Sequence, residues 1–263
     1  MVRESVSVFK RKIIFLIGLG LACACSDIPR DNLLDPKNKN SVRPQVITAE
    51  VFVNTSNDRQ YNQYMLSALD QLQQKYTGQI NIAEYHRNTT DYTDPLTQPE
   101  NELIYNVYTG AFSAQGKGVP DVFLNGTAGR VQGASSIATA VIRLEQVLQP
   151  LLLQNSYFTL EPEINRSGDQ AEISVKIARL GLEDAHDLLL KLILIEQIDS
   201  QTLKRVVRRV MKSDMLPDLA AGEIETFGFH LVELADTSDY NVLFTLSSDD
   251  ELHVYQSLEM SLP

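Results

Sequence analysis

The chain has 263 residues, 43% hydrophobic and 22% charged, enough to build a core in one large domain or two ordinary ones. Its formal net charge is −11; taking Arg3, Lys10, Arg11, Lys12 and Glu4 away with the first 25 residues leaves 19 basic and 33 acidic residues, or −14. This balance argues against nucleic acid, where phosphate neutralisation supplies most of the affinity.

The first segment has its own grammar. Lys10-Arg11-Lys12 is followed by an apolar run from Ile13 to Ala24, 12 residues long. A membrane-spanning helix needs about 20 apolar residues, so the run reads instead as the core of a secretory signal behind its positive region. It ends in Leu21-Ala22-Cys23-Ala24-Cys25-Ser26, which resembles the bacterial lipoprotein signal, where small residues precede a cysteine that is acylated and becomes the new N-terminus. The resemblance implies a signal peptide over 1–25 and a lipid on Cys25, and hence a membrane partner through the anchor. Cys23 is the competing acceptor, and neither cysteine has leucine three residues before it. An ordinary cleaved signal with incidental cysteines is the alternative. The chain has two cysteines, both in this segment. The mature body then holds no thiol, disulfide or thiolate metal site.

Residues 26–45 are polar and turn-forming, with three prolines, and read as a flexible tether. Val46–Val53 is β-branched and apolar, with Glu50 inside it, and predicts a buried strand. Asn57–Tyr76 predicts a helix from the spacing of Tyr61, Tyr64, Met65, Ala68, Leu69 and Leu72, with Gly78 just past its end. A second strand at Ile80–Tyr85, a polar loop over His86–Pro99 and a helix at Glu100–Tyr108 follow. Val119–Leu124 is a third strand that opens with Pro120; Asn125-Gly126 signals a hairpin, and Arg130–Gln132 returns. Ser135–Leu152 predicts a long amphipathic helix. The order β-α-β-α-β-β-α thus occupies a domain over 46–154. After it the apolar period becomes alternating. Seven segments between Tyr157 and Leu262 read as strands separated by turn residues, which predicts a β-sandwich over 155–263.

Particular residues in the first domain carry a further resemblance. Gly118-Val119-Pro120-Asp121-Val122-Phe123-Leu124-Asn125-Gly126 resembles the cis-proline stretch, hairpin and terminal helix of a thioredoxin fold. Ala49-Glu50-Val51-Phe52 resembles the strand that leads to its active-site loop, and Ile82–His86 with Asp91–Leu96 resembles the second strand and loop of secreted thioredoxin-like proteins. Together these are similar to the lipoprotein family related to the twenty-eight-kilodalton outer-membrane protein. That resemblance implies α/β plus all-β architecture, a thioredoxin-like domain followed by a C-terminal β-sandwich, at the outer membrane of a bacterial envelope. The family's redox members carry Cys-x-x-Cys at the first helix; here those positions fall at Asn57 and Gln60, give or take one residue. An amide offers neither a low-pKa nucleophile nor a disulfide. The expected protein is therefore no enzyme and carries no cofactor. It is a binding or scaffold module whose groove, formed by Asn57, Gln60, Val119 and Pro120, takes an exported protein or peptide by strand addition. A thiol-independent chaperone or isomerase, or an accessory to an envelope thiol oxidoreductase, is the alternative, and Pro120 merely shaping the hairpin is another.

Other candidates are bland. His86 with Glu84, Asp91 and Asp94 invites a metal or acid–base pair, but without ligand spacing it reads as a solvated loop. The basic run Leu203–Lys212 mixes charge and apolar residues on both faces and reads as a solvated strand paired with acidic neighbours. Asp249-Asp250-Glu251 reads as a turn rather than a calcium loop.

Overall fold

The computed structural model describes residues 32–263 apart from 39, 57–58, 199–203 and 236–237. The segment expected to be a signal, with Cys23 and Cys25, and Asn57 of the expected groove lie outside the described residues.

Short strand β1 (Arg43–Pro44) leads into β2 (Ile47–Val53), buried at every position. Its alternation sends Ile47, Ala49, Val51 and Val53 into one core and Phe52 into another, so the strand is covered on both faces. Helix α1 (Arg59–Lys75), strand β3 (Ile80–His86), helix α2 (Pro99–Ala111), strands β4 (Asp121–Leu124) and β5 (Gly129–Gln132) and helix α3 (Ile137–Leu152) follow. α1 and α3 cover the Val51 face through Met65, Leu69, Leu72, Leu144 and Leu148. α2 covers the other face with Ile104, Tyr105 and Tyr108, around an aromatic cluster centred on Phe52 and Phe123. Ser136 caps α3, its hydroxyl accepting from the Thr139 N–H at 3.2 Å. Asn125 and Gly126 lie at φ 48° and 69°, in the left-handed region that Asn-Gly supports.

The second half supplies β6 (Asn155–Ser156), β7 (Phe158–Ser167), β8 (Gln170–Arg179), β9 (Leu188–Gln197), β10 (Arg205–Lys212), β11 (Ile224–Leu231), β12 (Asp239–Ser248) and β13 (Val254–Ser261). Sheet membership divides these strands unequally. β7, β8 and β11 form a three-stranded antiparallel sheet. β9, β10, β12 and β13 instead extend the first sheet into one of eight strands, β13-β12-β9-β10-β3-β2-β4-β5. The join is parallel, between Val206 of β10 and Glu84 of β3. The small sheet packs on the β9–β12 region through Leu188, Leu190, Leu192 and Leu194, while Ile193 and Ile195 point to the α2 side. The architecture is α/β plus β: mostly sheet, with three described helices and one large mixed sheet.

Two local outcomes differ from the sequence reading. From Asn32 the expected tether is a chain of side-chain-capped turns: Asn32, Asp35 and Asn38 accept from the N–H groups two residues on. It ends with Ser41 and Gln45 buried. The basic run pairs with acidic neighbours as expected, Arg208 with Glu196 among them, but from Arg205 to Val207 it is buried rather than solvated. A bulge between Val207 and Arg209 breaks the alternation, Val206 and Val207 are both fully buried, and Arg205 reaches Asp70 and Glu84. A feature the sequence reading did not address is Lys191, 1% exposed on β9, whose ammonium lies 3.4 Å from Glu50 of β2. Tyr85 and Tyr108 both donate to Glu50, the former at 2.8 Å. Burial first, and the Glu50 charge second, push both phenols well above their ordinary pKa.

Candidate functional site

β2 and β3 run parallel, Val53 beside His86, and β4 runs back with Asp121 beside Phe52. This register brings three connections to one end of the sheet: the loop after Val53, the loop after His86 and the turn that enters β4 through Val119–Pro120.

The Val119–Pro120 peptide bond is cis. Its approach is held from below. The Tyr105 hydroxyl accepts from the Gly118 N–H at 2.9 Å and lies 3.0 Å from the Gly118 carbonyl and 2.9 Å from Asp121 Oδ2. Burial, then the Asp121 charge, raise that phenol to about 12. Arg130 grips Asp121 through Nε at 2.9 Å and Nη2 at 2.6 Å, and both Arg130 and Gln132 donate to the Gly116 carbonyl. The Pro120 carbonyl accepts from Gly133 N–H at 2.7 Å. Val119 is half-buried, and among the described residues no backbone hydrogen bond engages its N–H or C=O.

Gln60 is exposed on the first turn of α1, its amide donating to the Tyr64 hydroxyl. Two cavities open at this end. One, about 720 Å³, lies between Asn88–Thr90, Thr97–Pro99 and Lys117–Gly118. Its wall is Arg87, whose guanidinium pairs twice with Glu102 at 3.0 Å and stacks 3.9 Å from the Tyr105 ring centre. The other, about 510 Å³, is lined by Val53–Ser56, Asn62, Leu66, His86, Pro95 and Leu96. Of the sequence-predicted set, the register brings Val119 and Pro120 to the end where α1 begins, with Gln60 in its first turn; Asn57 belongs to the undescribed positions before that helix.

His86 is the residue sequence reasoning misplaced. It ends β3, is 0% exposed, and its Nδ1 lies 3.1 Å from Asp94 Oδ2. Burial alone would raise the Asp94 carboxyl; hydrogen bonds from His86 and from the Leu96 and Thr55 N–H groups outweigh it and hold the carboxyl below its ordinary range. An ionised Asp94 fixes the Nδ1–H tautomer. A carboxylate-oriented imidazole is half of an acid–base device, but His86 Nε2 meets no hydroxyl or other partner among the described residues. Glu84 turns away to Arg205, and Asp91 is exposed in the loop. Among the described residues no cluster of three or more His, Cys, Asp or Glu side chains has metal-holding geometry. No periodic signal marked His86 as a strand residue, because the adjacent apolar Ile82 and Ala83 break the alternation of Ile80–His86.

No protein-family model and no curated protein matches the chain. Solved structures do. HBP35 of Porphyromonas gingivalis aligns over 84% of this chain and 76% of its own, with TM-score 0.59 and 12% identity. Protein AGR_C_4864 from Agrobacterium tumefaciens aligns over 83% of this chain and 95% of its own, with TM-score 0.53 and 19% identity. At these identities the likeness is one of fold.

Proposed function

We propose that this chain is a non-enzymatic, lipid-anchored binding or scaffold protein of the bacterial cell envelope, at the outer membrane and akin to the lipoproteins related to the twenty-eight-kilodalton outer-membrane protein. In this reading residues 46–154 are a redox-inactive thioredoxin-like domain, 155–263 a β-sandwich, and the ligand an extended segment of an exported protein or peptide.

The observation that carries it is the Val119 backbone. Among the described residues its N–H and C=O are unengaged, at the end of the sheet where two cavities open. An extended segment satisfies such groups by main-chain hydrogen bonds, with side chains entering the flanking cavities. Residues 26–263 contain no cysteine, so binding there leads to no thiol exchange.

The test is photo-crosslinking in native cells, with probes at Gln60 and Val119 and a control at Leu153. Leu153 is 85% exposed at the opposite end, next to the β1–β6 pair that precedes β2. A partner captured from Gln60 and Val119 through one extended segment, and not from Leu153, is the expected result. The same diffuse background from all three positions refutes it.

A further inference from the structure

A second cavity system lies away from this end, where β1 and β6 meet the small sheet and β13. It is about 380 Å³ and brings together Gln45, Tyr157, Phe158, Arg179, Asp184 and Tyr255. Arg179 is only 8% exposed. Its Nε donates to the Glu183 carbonyl at 2.8 Å and its Nη1 to the Tyr157 carbonyl at 3.2 Å. The guanidinium carbon lies 4.9 Å from the Phe158 ring centre and 5.5 Å from that of Tyr157. A guanidinium has five N–H donors, and these are its two hydrogen bonds among the described residues; it forms no ion pair with a described carboxylate. Burial accordingly lowers its pKa, with Glu183 and Asp184 only partly offsetting this from a distance.

Gln45 supplies the complementary vacancy. It is 4% exposed, and its Nε2 donates to the carbonyls of Val254 at 2.7 Å and Tyr255 at 3.2 Å. Two acceptors on one side fix the amide orientation, and leave Oε1 buried with no donor among the described residues. One cavity thus combines a buried cation with spare donors, a buried acceptor without a donor, and aromatic rings at its wall.

We propose that this cavity binds a carboxylate carried on a hydroxylated ring, the chemistry of a sugar acid. The carboxylate meets the free edge of Arg179, a ring hydroxyl donates to Gln45 Oε1, and the C–H face of the ring lies against Tyr157 and Tyr255. A volume of about 380 Å³ admits one such ring. Asp184, which accepts from the Ala221 N–H at 3.0 Å, favours a hydroxyl donor over a second anionic group.

The experiment is titration of the folded protein with glucuronate, glucose and acetate, followed by chemical shifts of the Arg179 Nε–H and the Gln45 side-chain amide. Glucuronate is expected to move both signals and to bind at least about tenfold more tightly than either glucose or acetate, the loss expected for one charge-assisted hydrogen bond. Equal binding of glucose removes the role of Arg179. Equal binding of acetate reduces the site to an adventitious ion only. Shifts confined to other residues, or no binding of glucuronate, overturn the assignment. Arg179→Gln is expected to abolish the preference for glucuronate over glucose. Should that variant fail to fold, the wild-type shifts decide alone. A free sugar acid and the end of an acidic glycan share this chemistry: binding of the methyl glycoside as well as glucuronate assigns the site to a chain end, and binding of glucuronate alone to the monosaccharide.

Discussion

Replacing Lys191 with methionine removes the cation that reaches Glu50 across 141 positions of sequence. Glu50 is 0% exposed and Lys191 1%, so neither charge finds water once the other is gone. Methionine nearly matches the volume of the lysine stem, so packing changes little and the cost is chiefly the uncompensated carboxylate. Breaking a buried pair from one side costs about 3–5 kcal/mol, a large share of the roughly 5–15 kcal/mol that holds a domain together. The hydroxyls of Tyr85 and Tyr108 keep two bonds to Glu50 and place the expectation at the lower end of that range. With a urea slope of about 2–3 kcal/mol/M, the unfolding midpoint falls by about 1–1.5 M. Glu50→Gln in the same background leaves no buried charge unpaired, so the double variant costs less than the sum of the singles by at least about 2 kcal/mol. A midpoint shift under about 0.3 M for Lys191→Met, or strict additivity in the cycle, refutes the reasoning.

Three further outcomes are expected. Asp94 ionises in the folded state below its ordinary value of 3.8, so its contribution to stability is in place above that value and is lost as the pH falls through the lower folded pKa. Asp94→Asn therefore costs about 1–3 kcal/mol at neutral pH and narrows its gap from wild type below that pH, read by urea unfolding at several pH values. Gly126→Ala places a Cβ 2.6 Å from the Leu252 carbonyl oxygen at φ 69°, so strain and clash together cost more than about 2 kcal/mol in thermal or urea unfolding. Radiolabelled palmitate supplied to cells expressing the chain is expected to enter the protein, and Cys25→Ala to abolish it; retention of label in that variant moves the acceptor to Cys23.

How much of this was legible beforehand divides along a physical line. Periodicity is local, so every expected strand and helix among the described residues appears, from the buried run at Ile47–Val53 to the hairpin after Leu124. The proline before β4 and the absence of cysteine from residues 26–263 were likewise plain, because both are properties of residue type. Partners were not. Any strand edge offers the same main-chain N–H and C=O groups, so nothing in Arg205–Lys212 announces that it closes on β3, or that four strands of the second half extend the first sheet. His86 looked like a loop residue until Asp94 folded over it, and nothing in the sequence pointed to Lys191 as the partner of Glu50. Arg179 and Gln45, each with hydrogen-bonding capacity unfilled among the described residues, share a cavity although 134 positions part them. Composition and spacing decided which elements form and that residues 26–263 carry no thiol. Only the tertiary structure decided which buried charges are answered, because that depends on contacts between residues far apart in the chain.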